Sequence, residues 1–250
     1  MSTLKEKILF PLSSKYDKEW IIKHSLGENV LYNLESLTDA LEINPGMKIL
    51  DLGCGKAISS IFLAKEFGAK IWAVDPKICP TANYRRIKEM GLEGQIQPLR
   101  LNARKLPFAS EYFDIILAVD SFMYYGKDFE FTRYITNFLK TSGQIGIVDI
   151  CTCTGYSSIG NLNESESDPD ENLYFARSLK WWYDLWNASS LLEVNVAEII
   201  PANKFIKEEY IKVWAESGKE DAIAEELSED AQSNINIFRM VARKCEPQLI

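Results

Sequence analysis

The sequence predicts an α/β fold in which helices cover both faces of a mostly parallel β-sheet. Short, nearly continuous apolar segments alternate with segments of helical periodicity between residues 47 and 150. Strands of this kind are buried on both faces, as in parallel sheets, and the intervening helices form the crossover connections. The predicted strands are 47–52, 70–74, 95–101, 113–119 and 144–150, and the predicted helices are 59–67, 82–90 and 129–139.

Two further regions flank this alternating part of the chain. Residues 1–45 are expected to be helical, because apolar residues recur at helical spacing until Asn44-Pro45-Gly46 ends the pattern. Residues 46–250 are expected to form the main domain, with an inserted loop and an aromatic helix at about 151–190. The pattern that follows predicts a strand at 191–199, a helix at 204–217 and a last strand at 235–244.

The composition argues against several classes of protein. With a net charge of −8 and a pI of about 4.9, the chain lacks the basic excess of proteins that bind nucleic acid or anionic membranes. Its apolar runs are too short to cross a bilayer, and no signal-type segment is visible. The five cysteines form no framework, and Cys151 and Cys153 are too close together and too isolated for a zinc site. We therefore expect a cytoplasmic protein with no metal, no nucleic-acid partner and no membrane partner.

A glycine-rich turn follows the first predicted strand, in the segment Leu50-Asp51-Leu52-Gly53-Cys54-Gly55-Lys56-Ala57. Glycines at such a turn let the backbone approach a ligand closely. A dinucleotide fingerprint would need Gly or Ala at position 58, which is Ile58. Asp51 would repel a pyrophosphate, whereas its charge suits a cationic ligand with an amino group. The turn therefore favours a sulfonium amino acid over a dinucleotide.

Polar residues also follow the next predicted strands. Asp75 follows the second strand, where a carboxylate can accept both hydroxyls of a ribose. Asn102 ends the third strand, where a polar side chain can bind an adenine edge, and Asp120 follows the fourth. Because ligands bind at the carboxyl ends of strands in such sheets, these groups are expected to surround one nucleoside.

With these motifs, the segment from Met47 to Ile150 resembles the class I S-adenosylmethionine-dependent methyltransferases, particularly the small-molecule branch that includes enzymes of the quinone-biosynthesis type. The matching pieces are Asp51-Leu52-Gly53-Cys54-Gly55, Val74-Asp75, Asn102-Ala103 with Leu106-Pro107-Phe108, and Phe113-Asp114. The resemblance implies a Rossmann-like sheet of seven strands with an antiparallel last strand, which residues 235–244 fit. It also implies S-adenosyl-L-methionine as cofactor and S-adenosyl-L-homocysteine as product.

The resemblance further implies a cofactor site at the strand ends, made of Asp51, Gly53, Cys54, Gly55, Asp75, Pro76, Asn102, Ala103 and Asp120. Asp51 and the glycine backbone would hold the methionine part, Asp75 the ribose, and Asn102 with Ala103 the adenine. The sequence departs from the family pattern at two places. Ala57 replaces the usual third glycine, and Asn102 replaces an Asp, which keeps an acceptor and loses the charge.

Three residues are candidates for a catalytic role: Asp120, Tyr124 and His24. Asp120 follows the fourth strand and would contact the methionine part, orient the acceptor or act as base. Tyr124 follows the same strand, and its alternative role is packing of the turn. His24 lies in the N-terminal helical region, which covers the site in many members of this family, and its alternative role is that of an ordinary surface histidine.

Several alternatives remain open at this level. The tryptophans Trp181, Trp182 and Trp186 favour core packing by their helical spacing, with an aromatic cage for a cationic acceptor as the alternative. The main function hypothesis is methyl transfer to a small-molecule acceptor by a monomer or homodimer. The alternatives are a non-catalytic protein that binds S-adenosylmethionine and a nicotinamide-dependent oxidoreductase, against which Ile58 and Asp51 speak.

Overall fold

The computed structural model describes residues 3–25, 29–152, 177–217 and 235–246. The acidic stretch at 161–171, the charged stretch at 222–230 and Cys153 lie outside the described residues. The described helices are α1 (Leu4–Leu9), α2 (Lys18–His24), α3 (Val30–Thr38), α4 (Ile58–Phe67), α5 (Pro80–Glu89), α6 (Phe129–Thr136), α7 (Leu179–Ala188) and α8 (Asn203–Ser217). The strands are β1 (Lys48–Leu52), β2 (Lys70–Val74), β3 (Ile96–Leu99), β4 (Phe113–Val119), β5 (Leu139–Thr152), β6 (Leu192–Ile199) and β7 (Ile235–Lys244).

The strands form one seven-stranded sheet in the order β3-β2-β1-β4-β5-β7-β6. The pairs from β3 to β5 are parallel, and β7 lies antiparallel between β5 and β6. This arrangement confirms the predicted fold class, including the antiparallel last strand. The order along the sheet reverses between β1 and β4, which places a crevice at the carboxyl ends of these two strands.

Two hydrophobic clusters cover the two faces of the sheet. One contains the aromatic helix α7, whose Trp182 and Trp186 are fully buried and pack against Phe122. Trp181 is 4% exposed in the same cluster, so all three tryptophans lie in the core, as their helical spacing favours. The other cluster packs α3 and α4 against the opposite face.

The N-terminal helices are joined by two buried carboxylates. Thr3 and Glu6 form a reciprocal capping box that begins α1, which lies in the region 1–45 expected to be helical. Glu6 is 1% exposed and also accepts a hydrogen bond from Tyr32 Oη at 3.0 Å. The Glu35 carboxylate on α3 accepts from the backbone N–H of Leu12 at 2.8 Å and from the next residue at 2.6 Å. These contacts attach the first turns of the chain to α3.

The boundaries differ from the predictions mainly around β5. The helix predicted to reach residue 139 ends at Thr136, and the strand predicted to begin at 144 begins at Leu139. Leu139 pairs with Phe113, and after a register shift Ile115 pairs with Gln144, so the extra residues lie on β5 and the strand extends through a polar segment that has no strand pattern. Strand β3 is shorter than predicted, and its Pro98 is compatible with its position at the edge of the sheet.

Within the described ranges, no helix is both long enough and apolar enough to cross a membrane. Among the same residues, no group of three or more His, Cys, Asp or Glu side chains is arranged to hold a metal ion.

Candidate functional site

A cavity of about 590 Å³ opens at the carboxyl ends of β1, β2, β4 and β5. It lies over the crevice where the strand order reverses, which is the usual ligand position in open α/β sheets. Residues of α2, α3 and α8 complete the wall through His24, Val30 and Tyr210. The site is therefore built by both the sheet and the N-terminal helices.

The glycine turn after β1 forms one wall of the cavity. Gly53, Gly55 and Ala57 have φ angles of 80°, 52° and 62°, which are left-handed values that favour glycine. A Cβ atom on Gly53 would lie 2.4 Å from Ser121 Oγ, so position 53 also lacks space for a side chain. The backbone N–H groups of Gly53 and Cys54 both donate to the Val74 carbonyl, at 2.8 and 3.0 Å. The turn thus packs its backbone closely against the ends of β2 and β4.

Asp75 follows β2 and lies on the cavity wall. Its Oδ1 accepts from the backbone N–H groups of Lys77 and Ile78, at 2.7 and 2.8 Å, and its Oδ2 accepts from Gly55 at 3.1 Å. A carboxylate offers about four lone-pair sites, so these three bonds leave capacity for a ligand hydroxyl. The same bonds fix the carboxylate in place beside the glycine turn.

Asp51 lies beneath the turn and is not among the residues that line the cavity. It is 1% exposed, and its Oδ2 accepts from Ser59 Oγ at 2.6 Å and from Ser60 Oγ at 2.5 Å. Burial raises the pKa of Asp51 to about 6, although the two serine hydroxyls act in the opposite direction. In this structure the carboxylate therefore anchors the first turn of α4.

Asp120 lies at the end of β4, directly at the crevice, and lines the cavity. Its φ of 50° is a left-handed value, which is uncommon for a residue other than glycine. Asn33 Nδ2 on α3 donates to both carboxylate oxygens, at 2.9 and 3.1 Å. The fixed backbone and this contact both constrain the position of the carboxylate.

His24 and Tyr124 line the same cavity. The His24 Nδ1 atom lies 2.7 Å from the Trp20 carbonyl oxygen. Because a carbonyl only accepts, this contact assigns the proton to Nδ1 and leaves the lone pair of the neutral ring on Nε2. Tyr124 is 71% exposed. The neighbouring Tyr125 donates to the Leu52 carbonyl at 2.9 Å, and burial raises its pKa well above the usual value, so it stays protonated.

The structure brings most of the predicted site residues together. The cavity wall contains His24, Gly53, Cys54, Gly55, Asp75, Pro76, Asp120 and Tyr124. Asn102 and Ala103 are not among the lining residues: Asn102 is exposed, with its Oδ1 accepting from the Arg104 N–H at 2.8 Å, and Ala103 is 7% exposed. Like Asp51, they lie outside the wall of this cavity.

Sequence reasoning missed Asn33 and Asp149. Asp149 is 1% exposed and lines the cavity, and its carboxylate accepts from the Met123 N–H at 3.0 Å and from Ile150 at 2.9 Å. Asp149 is the second-last residue of the fifth predicted strand, 144–150, so a strand-end rule extended to the last residues within a strand would have identified it. Asn33 has no such signal, because its role depends on a contact 87 residues away in the chain.

Comparisons with known proteins agree with this geometry. A sequence family described as a methyltransferase domain matches residues 49–143. The methyltransferase GfsG of Streptomyces halstedii is 29% identical over 117 residues, which is 46% of this chain and 42% of that protein. The chain spans less than half the length of the curated relatives it matches first.

Solved structures share the fold over nearly the whole chain. The [4+2]-cyclase SpnF has a TM-score of 0.70 at 14% identity, and the match covers 96% of this chain and 94% of the SpnF chain. Geranyl diphosphate C-methyltransferase from Streptomyces coelicolor A3(2), in complex with Mg2+, geranyl diphosphate and S-adenosyl-L-homocysteine, has a TM-score of 0.69 at 15% identity. This match covers 97% of the present chain and 99% of the methyltransferase chain. Residues 49–143 are thus similar in sequence to a methyltransferase domain, and the whole chain shares the fold of these solved structures.

Proposed function

We propose that the chain is an enzyme that transfers the methyl group of S-adenosyl-L-methionine to a small-molecule acceptor, leaving S-adenosyl-L-homocysteine. The observation that carries this proposal is the convergence of the glycine turn, Asp75 and Asp120 on one cavity at the β1–β4 crevice. The methyltransferase match over residues 49–143 supports the same reaction class.

The residues present suit this cofactor. Asp75 retains acceptor capacity next to the glycine turn, which is where the ribose would bind. Gly53 provides bare backbone at the crevice, and Asp120 provides a carboxylate beside it, which suits a cationic sulfonium with an amino group. The cofactor supplies an electrophilic methyl group, so the chain has to orient the acceptor, exclude water and accept a proton where one leaves.

The acceptor would bind at the end of the cavity formed by Asp120, Tyr124 and His24. His24 Nε2 carries the lone pair of the neutral ring and would take a proton from an acceptor that retains one. Tyr124 would line the acceptor pocket, and Asp120 would orient either the acceptor or the amino group of the cofactor. Asp149 is a further carboxylate on the cavity wall.

Residues 1–45 would act as the helical cap over the site, because His24 and Val30 contribute to the cavity wall.

Two relatives carry names that point to small acceptors. Phosphoethanolamine N-methyltransferase 3 of Arabidopsis thaliana matches 82% of this chain at 22% identity, and geranyl diphosphate is bound in the Streptomyces coelicolor structure. Membership of the quinone-biosynthesis-like branch, a cytoplasmic location, a monomer or homodimer, and the lack of nucleic-acid partners stay predictions.

A different reaction on the same fold is the second candidate. SpnF, a [4+2]-cyclase, has this architecture, and a shared fold does not determine the reaction. A cyclase or a non-catalytic binding protein would hold the cofactor without consuming it. Methyl transfer is preferred because the same cavity wall contains Asp120 and His24, a base candidate with a defined tautomer.

The test has two arms. Isothermal titration calorimetry with S-adenosyl-L-methionine and S-adenosyl-L-homocysteine measures binding, and we expect both to bind. Incubation with methyl-labelled cofactor and a panel of amines, phenols and prenyl or phosphorylated alcohols measures turnover. Binding with no labelled product for any acceptor would favour the second candidate, and lack of binding would refute the proposal as a whole.

A further inference from the structure

A buried hydrogen bond joins the N-terminal helices to the wall of the cavity. Asn33 on α3 is fully buried, and its Nδ2 donates to both carboxylate oxygens of Asp120, at 2.9 and 3.1 Å. Because a carboxylate only accepts, the amide nitrogen must be the atom that faces Asp120. The cavity residue Asp120 therefore depends on a donor outside the sheet.

The surroundings of Asn33 favour an apolar residue on packing grounds alone. On the same helix, Leu31, Leu34 and Leu37 are fully buried in the hydrophobic cluster. Burying an amide among such residues is unfavourable unless the amide is hydrogen-bonded. The bond to Asp120 supplies that compensation and gives Asn33 a reason to be polar.

Asp120 also needs a partner that sets the direction of its carboxylate. Its backbone has a φ of 50°, and its N–H donates to the Val148 carbonyl at 2.9 Å, so the backbone is fixed at the strand end. A neutral donor such as an amide leaves the negative charge on Asp120 intact, whereas a carboxylate at position 33 would repel it.

Asn33 belongs to the N-terminal segment, whose helix α3 is joined by hydrogen bonds to the residues that precede it. Glu35, two residues after Asn33, accepts from the backbone N–H groups of Leu12 and Ser13, and Ser13 Oγ donates to the Leu31 carbonyl at 2.9 Å. The position of Asn33 is therefore coupled to the docking of the first helices.

We propose that Asn33 is a positioning residue that holds the Asp120 carboxylate at the cavity, so that cofactor affinity depends on the docked N-terminal segment. This inference rests on the proposed function, because it takes S-adenosyl-L-methionine as the ligand that Asp120 contacts. Asn33 acts through Asp120 and is not itself a catalytic residue.

The test compares cofactor affinity in Asn33→Asp, Asn33→Leu and wild type by calorimetry at about pH 5.5 and about pH 8. In Asn33→Asp two carboxylates would lie about 3 Å apart and cannot both ionise, so one takes up a proton at the lower pH. The protonated carboxyl then donates to Asp120 as the amide did. We expect about a tenfold or greater loss of affinity at the higher pH and recovery towards wild type at the lower pH.

Asn33→Leu separates this effect from a loss of structure. It offers no donor at either pH, so we expect about a tenfold loss at both, without recovery. The other polar groups on the wall, among them His24, Asp75 and Asp149, are the same in every variant, so comparison with wild type removes their contribution to the affinity. Thr38→Val is the matched control, because Thr38 is also buried on α3 but donates only to the Glu35 carbonyl. Its affinity should equal that of wild type.

The outcomes separate this inference from the proposed function. If wild type binds the cofactor and the Asn33 variants bind it equally well at both pH values, the positioning role is refuted and the proposed function stands. A second outcome would be an equal loss of affinity at both pH values in Asn33→Asp, together with a loss of affinity in Thr38→Val. The effect would then be structural, and the inference would again be refuted. If Asn33→Asp is unfolded at the higher pH, wild-type affinity in Asn33→Leu would refute the inference. Lack of binding by wild type would overturn both proposals.

Discussion

Replacing Gly53 with alanine should damage both stability and cofactor binding, and the structure allows the two causes to be separated. The φ of 80° at position 53 is left-handed, which costs an alanine about 1–2 kcal/mol. The new Cβ would also lie 2.4 Å from Ser121 Oγ and 2.5 Å from Ser121 Cβ, so Ser121 has to move. Displacing Ser121 breaks its hydrogen bond to the Leu52 carbonyl, which contributes about 1–2 kcal/mol in a buried site. We therefore expect a total loss of about 2–4 kcal/mol in the free energy of unfolding.

Gly46→Ala is the matched control for this prediction. Gly46 has the same φ of 80°, but a Cβ atom there would have no heavy atom within 4 Å. The control therefore carries the backbone strain without the clash, and we expect a loss of about 1–2 kcal/mol. Urea denaturation followed by fluorescence gives the free energy of unfolding of each variant, and calorimetry gives the affinity for S-adenosyl-L-homocysteine. Only Gly53→Ala should lose affinity, by about tenfold or more, because Gly53 and Ser121 both line the cavity.

A double-mutant cycle tests the assigned cause. Ser121→Gly removes the atoms that clash with the new Cβ, so the Gly53→Ala/Ser121→Gly double variant should be about 1–2 kcal/mol more stable than the sum of the single losses predicts. Equal losses in Gly53→Ala and Gly46→Ala, together with wild-type affinity in both, would refute the close-approach argument. Additive losses in the cycle would show that Ser121 is not the obstacle.

Three further predictions concern single side chains. Asp75→Ala should weaken the calorimetric affinity for S-adenosyl-L-methionine by about 1–3 kcal/mol. Asp114→Ala is the control and should leave the affinity unchanged, because it removes a carboxylate that bonds Lys48 N–H and Lys140 away from the cavity wall. Equal affinities in wild type and both variants would exclude the ribose role. Burial raises the Asp51 pKa from 3.8 to about 6, so the folded state binds the extra proton and stability decreases as pH rises through this window, by up to about 3 kcal/mol. In Asp51→Asn the amide oxygen still accepts from Ser59 and Ser60, but this decrease of the free energy of unfolding with pH should be absent. Urea titrations between about pH 4 and about pH 7 measure the decrease, and an unchanged decrease in the variant would contradict its assignment to Asp51. His24 is the only histidine in the chain, so its nitrogen chemical shifts in a 15N-labelled sample report the tautomer directly, and a neutral ring protonated at Nε2 would remove the argument for Nε2 as base.

Much of the fold was predictable because it depends on local patterns. The predicted bounds of β2, β4 and β7 match the structure residue for residue, since apolar residues dominate β2 and β4 and recur along β7. The polar residues predicted after β2 and β4, Asp75 and Asp120, both line the cavity, and their binding roles stay predictions. Helix α1 lies in the region predicted to be helical, but its separate bounds were not predicted, because the contact between the buried Glu6 and Tyr32 leaves no periodic pattern.

The site was predictable only where a strand end marks it. Asp51 precedes the glycines as a binding carboxylate would, yet its side chain points to Ser59 and Ser60 on the following helix. Asn102 follows β3, but the cavity is bounded by the other strand ends and by Asp149 on β5. In both cases the position along the chain follows from the sequence pattern, whereas the direction of the side chain follows from neighbours that the sequence does not specify.

The amino-acid sequence by itself determined the alternation of strands and helices, the glycine turn and the residue types at the strand ends, because these depend on contacts between neighbours in the chain. The tertiary structure decided the insertion of β7 between β5 and β6, the extension of β5 to Leu139 and the contact between Asn33 and Asp120. These features join segments far apart in sequence, and their free energy comes from burial and hydrogen bonding that arise only once the whole sheet has assembled.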